Sequence, residues 1–416
     1  MKILILGAGY MQLNAIRKAK EKGYTVIVAD YLPDAPGKKL ADYSEMTSTF
    51  DIAGNIEIAR KHKVDGVFTI GTDQPVLTAA RVAEALDLPG MISSLTALRA
   101  TNKKYMKKVF LEHNIPTSSY LLVKRQELNK RRELMSKLRQ LNFPIVIKPL
   151  DSQGQRGVFK LYQIEDKIID FMIETFSFTR EDEIIVEEFF AGDEVTVSAW
   201  VENYQPYILM ITDRPLLNVE PHLGIPDGHV FPSRYTSSHH QPIEEILEKI
   251  VTAFDIASGP VYLQVIISEK QLEVVEVACR IGGGHEEELI PLLTGIDPVD
   301  MLIEKTIDKK IDIRKLEEYE LLNNDKQAMV KFVIARPGKV KCLGNINEVK
   351  KMRGVVNAGF YNPNLQEVKE LINSTRRVGY ILLEAKTRDE LLQNSRNAYK
   401  EMKIFDEANN NMVFEA

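Results

Sequence analysis

The first hundred residues alternate short apolar runs with amphipathic stretches, and this alternation narrows the fold more than any other feature of the chain. Residues 2–6, 25–29 and 66–70 are buried-type strands, and residues 12–22 and 53–62 between them read as helices. Strands separated by helices argue for a parallel sheet with right-handed crossovers, hence a doubly wound α/β unit. The first turn, Gly7-Ala8-Gly9-Tyr10-Met11-Gln12, with Asp30 ending the second strand, is nearly a dinucleotide-binding fingerprint. Gln12, however, holds the place of the third glycine. A tight strand-to-helix turn that binds no nicotinamide or flavin is therefore the expectation, with a dinucleotide-binding dehydrogenase or sensor as the alternative from another class.

The segment 259–284, GPVYLQVIISEKQLEVVEVACRIGGG, sets polar chemistry inside two apolar strands, 261–267 and 272–277, joined by Ser268, Glu269, Lys270 and Gln271. In an antiparallel pair with an effective three-residue loop, Gln264 faces Glu276, and both share a face with Tyr262, Ile266, Val274 and Ala278. An amide oxygen and a carboxylate at one place suit a hard cation such as Mg²⁺ that keeps phosphates and waters in its shell. Arg280, four residues after Glu276, offers a two-pronged grip on phosphate or carboxylate. A plain surface hairpin with solvated Gln264 and Glu276 is the competing account of this segment alone.

Upstream lie further anion-binding features. Asn102 caps a helix on which Lys103 and Lys107, four apart, share a face. A charged helix is expected over 126–140. A buried strand over 143–149 carries Lys148 near its end, and the loop 151–157, with Ser152, Gln153, Gly154, Gln155 and Gly157, leads into a strand over 158–161. Glycines let backbone amides approach phosphate oxygens while the lysine supplies charge. Residues 183–190 form a strand ending in Glu187, Glu188, Phe189 and Phe190, placed to lie along an adenine, with Glu194 in the turn 191–194 before the next strand, 195–201, for ribose hydroxyls.

In that order the motifs resemble the ATP-grasp superfamily, with biotin carboxylase, D-alanine ligase, carbamoyl-phosphate synthetase and L-amino-acid ligases among its members. The resemblance runs from Met1 through Asp297 and more loosely beyond. It implies an ATP-grasp fold: a doubly wound amino-terminal domain over 1–100, an ATP clamp over 101–300 with a small subdomain at about 115–190, and an α+β region over 301–416. It also implies ATP and Mg²⁺, or Mn²⁺ as a substitute, as cofactors. Lys103 or Lys107 then matches the first phosphate-contacting cation, Lys148 the second and 151–157 the flap. Glu187 to Phe190 match the adenine strand, Glu194 the ribose ligand, Gln264 and Glu276 the metal bridge, and Arg280 the catalytic cation. Where the family commonly reads E-x-N-x-R, this chain has Ala278 in place of the asparagine, so the third oxygen ligand is missing.

The implied reaction is ATP-dependent joining of a carboxylate to an amine through an acyl phosphate, on amino acids as in dipeptide-forming ligases, with a purine-pathway ribonucleotide ligase or carboxylase as the alternative. The expected partners are these small molecules, with a homodimer as an admissible assembly. His222, His229, His239 and His240 fall in a loop-rich stretch, 221–242, as exposed loop histidines rather than a zinc site; His229 and Arg234 are candidates for touching an acceptor substrate. Gly283 and Gly284, before a helix bearing Glu287 and Glu288, are candidates for holding an anion. Beyond 297 strands are expected over 328–335 and 378–384, a closing helix over 387–403, and a frayed tail at 407–411. The composition, 44% hydrophobic and 27% charged with net charge −5, argues against nucleic acid or an anionic membrane as main partner. Two cysteines without a CxxC pair, no signal-like run at the start and no long apolar span point to the cytoplasm.

Overall fold

The computed structural model describes residues 1–414 except Asp166, Lys270 and the side chain of Asn218; Lys270, assigned to the hairpin turn, thus lies outside the described residues. The amino-terminal alternation folds as a parallel sheet in the order Tyr43–Glu45, Thr25–Ala29, Lys2–Leu6, Gly66–Phe68. Its central strands are buried on both faces, which is why they read as unbroken apolar runs. The expected first helix begins as a 3₁₀ turn, Tyr10–Gln12, and continues as Leu13–Glu21.

An antiparallel sheet of eight strands forms the centre of the molecule, in the order Leu272–Ala278, Ser258–Ile267, Asp193–Glu202, Gln205–Asp213, Gly228–Phe231, Gln327–Val333, Gly379–Ala385, Val355–Phe360. The last three strands come from the region after residue 300 and continue the same sheet without a break. One face packs on the long helix Thr236–Phe254 through Leu247, Ile250 and Phe254, in a core that also takes in Ile3, Ile5 and Phe110. Each such side chain taken fully out of water contributes about 1.5–3 kcal/mol.

A second antiparallel sheet, Leu216–Val219, His222–Pro226, Phe159–Leu161, Ile145–Pro149, Glu183–Glu188, Tyr120–Lys124, has its own core of Leu134, Leu138, Ile147, Met172 and Val186. It stands over the free end of the large sheet, and the cleft between the two is the candidate site. The charged helix expected over 126–140 is interrupted: a 3₁₀ turn, Arg125–Asn129, precedes the helix Arg131–Leu138. The stretch 221–242, expected to be loop-rich, is instead two strands and the start of the long helix, so His239 and His240 lie on that helix. The tail expected to fray turns back on itself: the Asp406 carboxylate accepts from the amides of Ala408 and Asn410, and Asn411 bridges to Phe405. Among the described residues no helix is long and apolar enough to cross a membrane.

Candidate active site

Gln264 and Glu276 are direct cross-strand partners in the hairpin at the sheet edge. The expected face is correct for Tyr262, Gln264, Ile266, Glu276 and Ala278, but not for Val274. A bulge at Val275 shifts the register, so Val265 pairs with Val274 and Ile266 with Glu273. Val274 thereby turns into the core, and Val275 joins the cleft wall instead. Gln264 Nε2 donates to Glu194 Oε2 at 3.0 Å, which leaves its amide oxygen as its remaining ligand atom. Glu194 also pairs with the buried guanidinium of Arg214. Two half-exposed oxygens side by side fit a hard cation completed by phosphate and water; buried Ala278 adds no third ligand.

Opposite the hairpin, three lysines surround one carboxylate. Lys148 Nζ lies 2.9 Å from Glu187 Oε2, and Lys107 Nζ lies 3.5 Å from the same oxygen. Lys107 is 2% exposed. Burial alone would raise the Glu187 pKa, but Lys107 and Lys148 overcome it and hold the carboxyl at about 2. Burial lowers the Lys107 pKa against the pull of Glu187. Of the helix pair, Lys103 lines the cleft and donates to the carbonyl of Ser152, while Lys107 points into the protein. The Glu187 side chain is therefore a buried counter-ion. Glu188 accepts from the Asn142 amide, and Phe189 lies under the Lys160 ammonium at 3.5 Å; with Phe190 they are half-buried at the end of that strand.

The loop 151–157 closes the cleft and is pinned at several points. Gln153 Oε1 accepts from the Asp73 amide, Ser374 donates its hydroxyl to the Gly154 carbonyl at 3.0 Å, and Gln155 Nε2 donates to the Gly224 carbonyl. Asp151 accepts from Thr179 and Arg180. Gly154, Gln155 and Gly157 take positive φ, which glycine adopts without strain.

Two adjoining cavities fill the cleft. One, of about 140 Å³, is lined by Lys103, Lys148, Ser152, Gln153, Gly154, Gln155, Gln264 and Glu276. The other, of about 340 Å³, is lined by Tyr10, His229, Gly283, Gly284, Glu286, Tyr361 and Arg377. They share Gln153, Gly154 and Ser374 at the loop, and Asp73, Arg214, Tyr262 and Arg280 opposite it. At this junction the Arg280 guanidinium is held by Asp73 Oδ1, 2.6 Å from Nε and 2.5 Å from Nη2, and lies over the Tyr262 ring. His229 is buried with its ring near the hydroxyls of Thr196 and Thr212, and burial with Arg214, Arg377 and His285 holds its pKa well below the usual range. It is not an exposed loop histidine. A side chain at Gly284 would meet His229 Nε2 at 2.3 Å, so only glycine lets the two approach.

A family model for the ATP-grasp domain matches residues 141–287, and one for the L-amino acid ligase C-terminal domain 2 matches residues 331–405. Residues 141–287 are thus an ATP-grasp domain. The ATP-grasp relatives include a phosphoribosylamine–glycine ligase of Listeria innocua, 23% identical over 98% of this chain and 97% of that protein. The fold is shared with an L-amino acid ligase from Bacillus licheniformis at TM-score 0.79 and 17% identity, covering 97% of this chain and 98% of that one. It is shared likewise with a phosphoribosylglycinamide synthetase from Anaerococcus prevotii at TM-score 0.74 and 22% identity, covering 97% and 98%.

Within this ATP-grasp cleft, one substrate candidate is out of place. Arg234 is exposed, paired with Asp193 and Asp213, and lines neither cavity. Asp73, Arg214 and Arg377 do line the cleft and carry no sequence signal, because each reaches it from a segment with no motif of its own; Glu286, two residues past the candidate Gly284, lines it too and was overlooked beside the glycines. Gln12, at the third glycine position of the first turn, accepts from the Gly9 amide and donates to the Ile70 carbonyl, filling the space beside Gly7 with its own side chain. Burial pushes the Cys279 thiol up to about 12, so it stays a thiol. Among the described residues, His285, Glu287 and Glu288 form the one group with metal-ligand spacing. Burial opposes charge on His285, yet Tyr361, Glu287 and Glu288 raise its pKa well above the usual range, so the group holds an imidazolium.

Proposed function

We propose that the chain is an ATP-dependent carboxylate-amine ligase that activates its acid as an acyl phosphate and acts on amino acids. The observation that carries this reading is the junction itself: Arg280, braced by Asp73, stands where a cavity lined by lysines and an oxygen pair opens into one lined by substrate-sized polar groups.

Lys103 and Lys148 neutralise phosphates, and the loop 151–157 covers them with backbone amides. Gln264 and Glu276 would hold Mg²⁺, which would supply charge neutralisation to the triphosphate. A carboxylate oxygen of the acid attacks the γ-phosphorus and the bond to ADP breaks; Arg280 meets the charge on the phosphoryl oxygens. The amine nitrogen then attacks the acyl carbon, the bond to phosphate breaks, and phosphate and a proton leave. The protein contributes position and charge in both steps.

The carboxyl-terminal match to the L-amino acid ligase domain favours amino acids as substrates. A ribonucleotide ligase is the second reading, favoured by the near full-length similarity to phosphoribosylamine–glycine ligase. Magnesium-dependent ADP release, screened over amino-acid pairs, over ribosylamine phosphates with glycine and over bicarbonate, separates the two. Amide formation from two amino acids, seen by mass spectrometry, is the expected result; release only with a ribonucleotide overturns it.

A further inference from the structure

The larger cavity contains a carboxyl group and a guanidinium that have no ion pair with an arginine or a carboxylate among the described residues: burial raises the Glu286 pKa against the more distant pull of Arg280, and Arg377 feels Glu286 only across the cavity. Glu286 is 1% exposed. Its Oε2 accepts from the Gly284 amide at 2.5 Å, while its Oε1 has no hydrogen-bond partner among the described residues and lies 3.9 Å from His229 Nε2. An orphaned buried carboxylate oxygen is expensive unless a donor meets it. His229, kept neutral, does not compensate the charge. In the same cavity Arg377 rests its guanidinium on the Phe332 ring at 3.6 Å and donates Nε to the Ser374 carbonyl. Among the described residues no carboxylate pairs with it. The other two arginines of the cavity, Arg214 and Arg280, are each paired already, with Glu194 and Asp73.

We propose that Glu286 and Arg377 form a receptor for a zwitterion, Glu286 Oε1 taking the ammonium group of an amino-acid substrate and Arg377 its carboxylate. A carboxylate held on Arg377 is not the one presented to ATP, so this amino acid is the acceptor. The inference rests on the ligase reading for its meaning but is tested by binding alone. An unpaired cation and an unpaired anion on one wall select against ligands that carry one charge, because such a ligand leaves the other group buried without a partner.

The test is calorimetry on the full chain with Mg²⁺ and a non-hydrolysable ATP analogue, titrating common L-amino acids singly and then the N-acetyl and methyl-ester derivatives of the tightest binder. Masking either charge is expected to weaken binding by about tenfold or more, the worth of a hydrogen bond to a charged group. The variants E286Q and R377Q are each expected to weaken the parent amino acid and to erase the discrimination against the N-acetyl and ester forms respectively. Derivatives that bind as tightly as the parent, or no binding by any amino acid, overturn the receptor. The derivatives are tested on the unaltered protein, so the outcome does not depend on either variant folding. ADP release is scored separately: release with amino acids but no zwitterion preference removes the receptor and leaves the ligase, whereas zwitterion binding without ADP release removes the ligase.

Discussion

At one end of the cleft Glu187 sits between Lys107 and Lys148 and satisfies both, and Glu194 does the same for Arg214 and Gln264. At the other end Glu286 keeps a bare oxygen and Arg377 has no carboxylate among the described residues. The difference is informative about the ligand each end awaits. A polyanion needs cations in a dry wall, and an internal carboxylate offsets part of the cost of burying them when the polyanion is away. A zwitterion brings both counter-charges with it, so the wall that receives it can stay incomplete. The first arrangement stabilises the free protein, and the second gives up part of that stability for recognition.

The strongest way to break this comparison is at the junction. Glu276→Gln and Arg280→Lys are each expected to cut ADP release by about a thousandfold, since a point charge does not reproduce the planar fork and an amide binds a hard cation weakly. Melting temperatures should stay close to the parent for Glu276→Gln, and steady-state ADP release beside a thermal scan is the check. Full activity in either variant would move the chemistry elsewhere.

Stability separates the two ends next. Glu187→Gln strands two buried lysines and should lower the unfolding free energy by about 3–5 kcal/mol in urea titration. Glu286→Gln should change it by less than about 1 kcal/mol or raise it, because it removes a charge that has no partner. Lys148→Ala, expected from sequence to weaken ATP binding without altering the melting temperature, should lower that temperature too, since it leaves Glu187 with Lys107 alone.

The same carboxylate sets an acid dependence. Its folded pKa of about 2 lies below the ordinary 4.5, so its contribution is complete above 4.5 and is lost as pH falls from there towards 2. Urea midpoints measured across that window should fall less steeply for Glu187→Gln than for the parent. Equal slopes would show that other carboxylates dominate.

The smallest effect concerns the flap. Sequence suggests a loop over 151–157 that is mobile until nucleotide orders it, but the bonds to Asp73, Ser374 and Gly224 hold it already. Ser374→Ala should cost about 1 kcal/mol locally and speed hydrogen exchange at 153–155 about fivefold. Unchanged exchange would restore the mobile picture.

The strand–helix alternation and parallel sheet of the first hundred residues and the pairing of Gln264 with Glu276 were legible because both follow from side-chain period alone, whereas the short edge strand Tyr43–Glu45 was not foreseen. The bulge at Val275 was not, since Val274 and Val275 are equally apolar and only packing decides which turns inward. Arg280 was legible by its spacing, but Asp73 was not, because nothing local in Gly71-Thr72-Asp73 announces a partner so far away. His229 read as a loop residue for a similar reason: its strand pairs with residues beyond 327, and two glycine- and proline-rich neighbours hide the short apolar run.

The clasp between Asp73 and Arg280 joins residues 207 positions apart, and it decides what a truncated chain would be worth. During synthesis the domain that supplies the aspartate is finished long before the arginine leaves the ribosome, so the brace waits for the part it must steady. A fragment beginning near residue 100 would lose Asp73 together with the part of the shared core that Ile3 and Ile5 supply, and its arginine would keep the Tyr262 ring and the Ile281 carbonyl as neighbours. The amino-terminal domain, whose own first turn is plugged by Gln12, thus serves the chemistry as a jig that holds one tool in place.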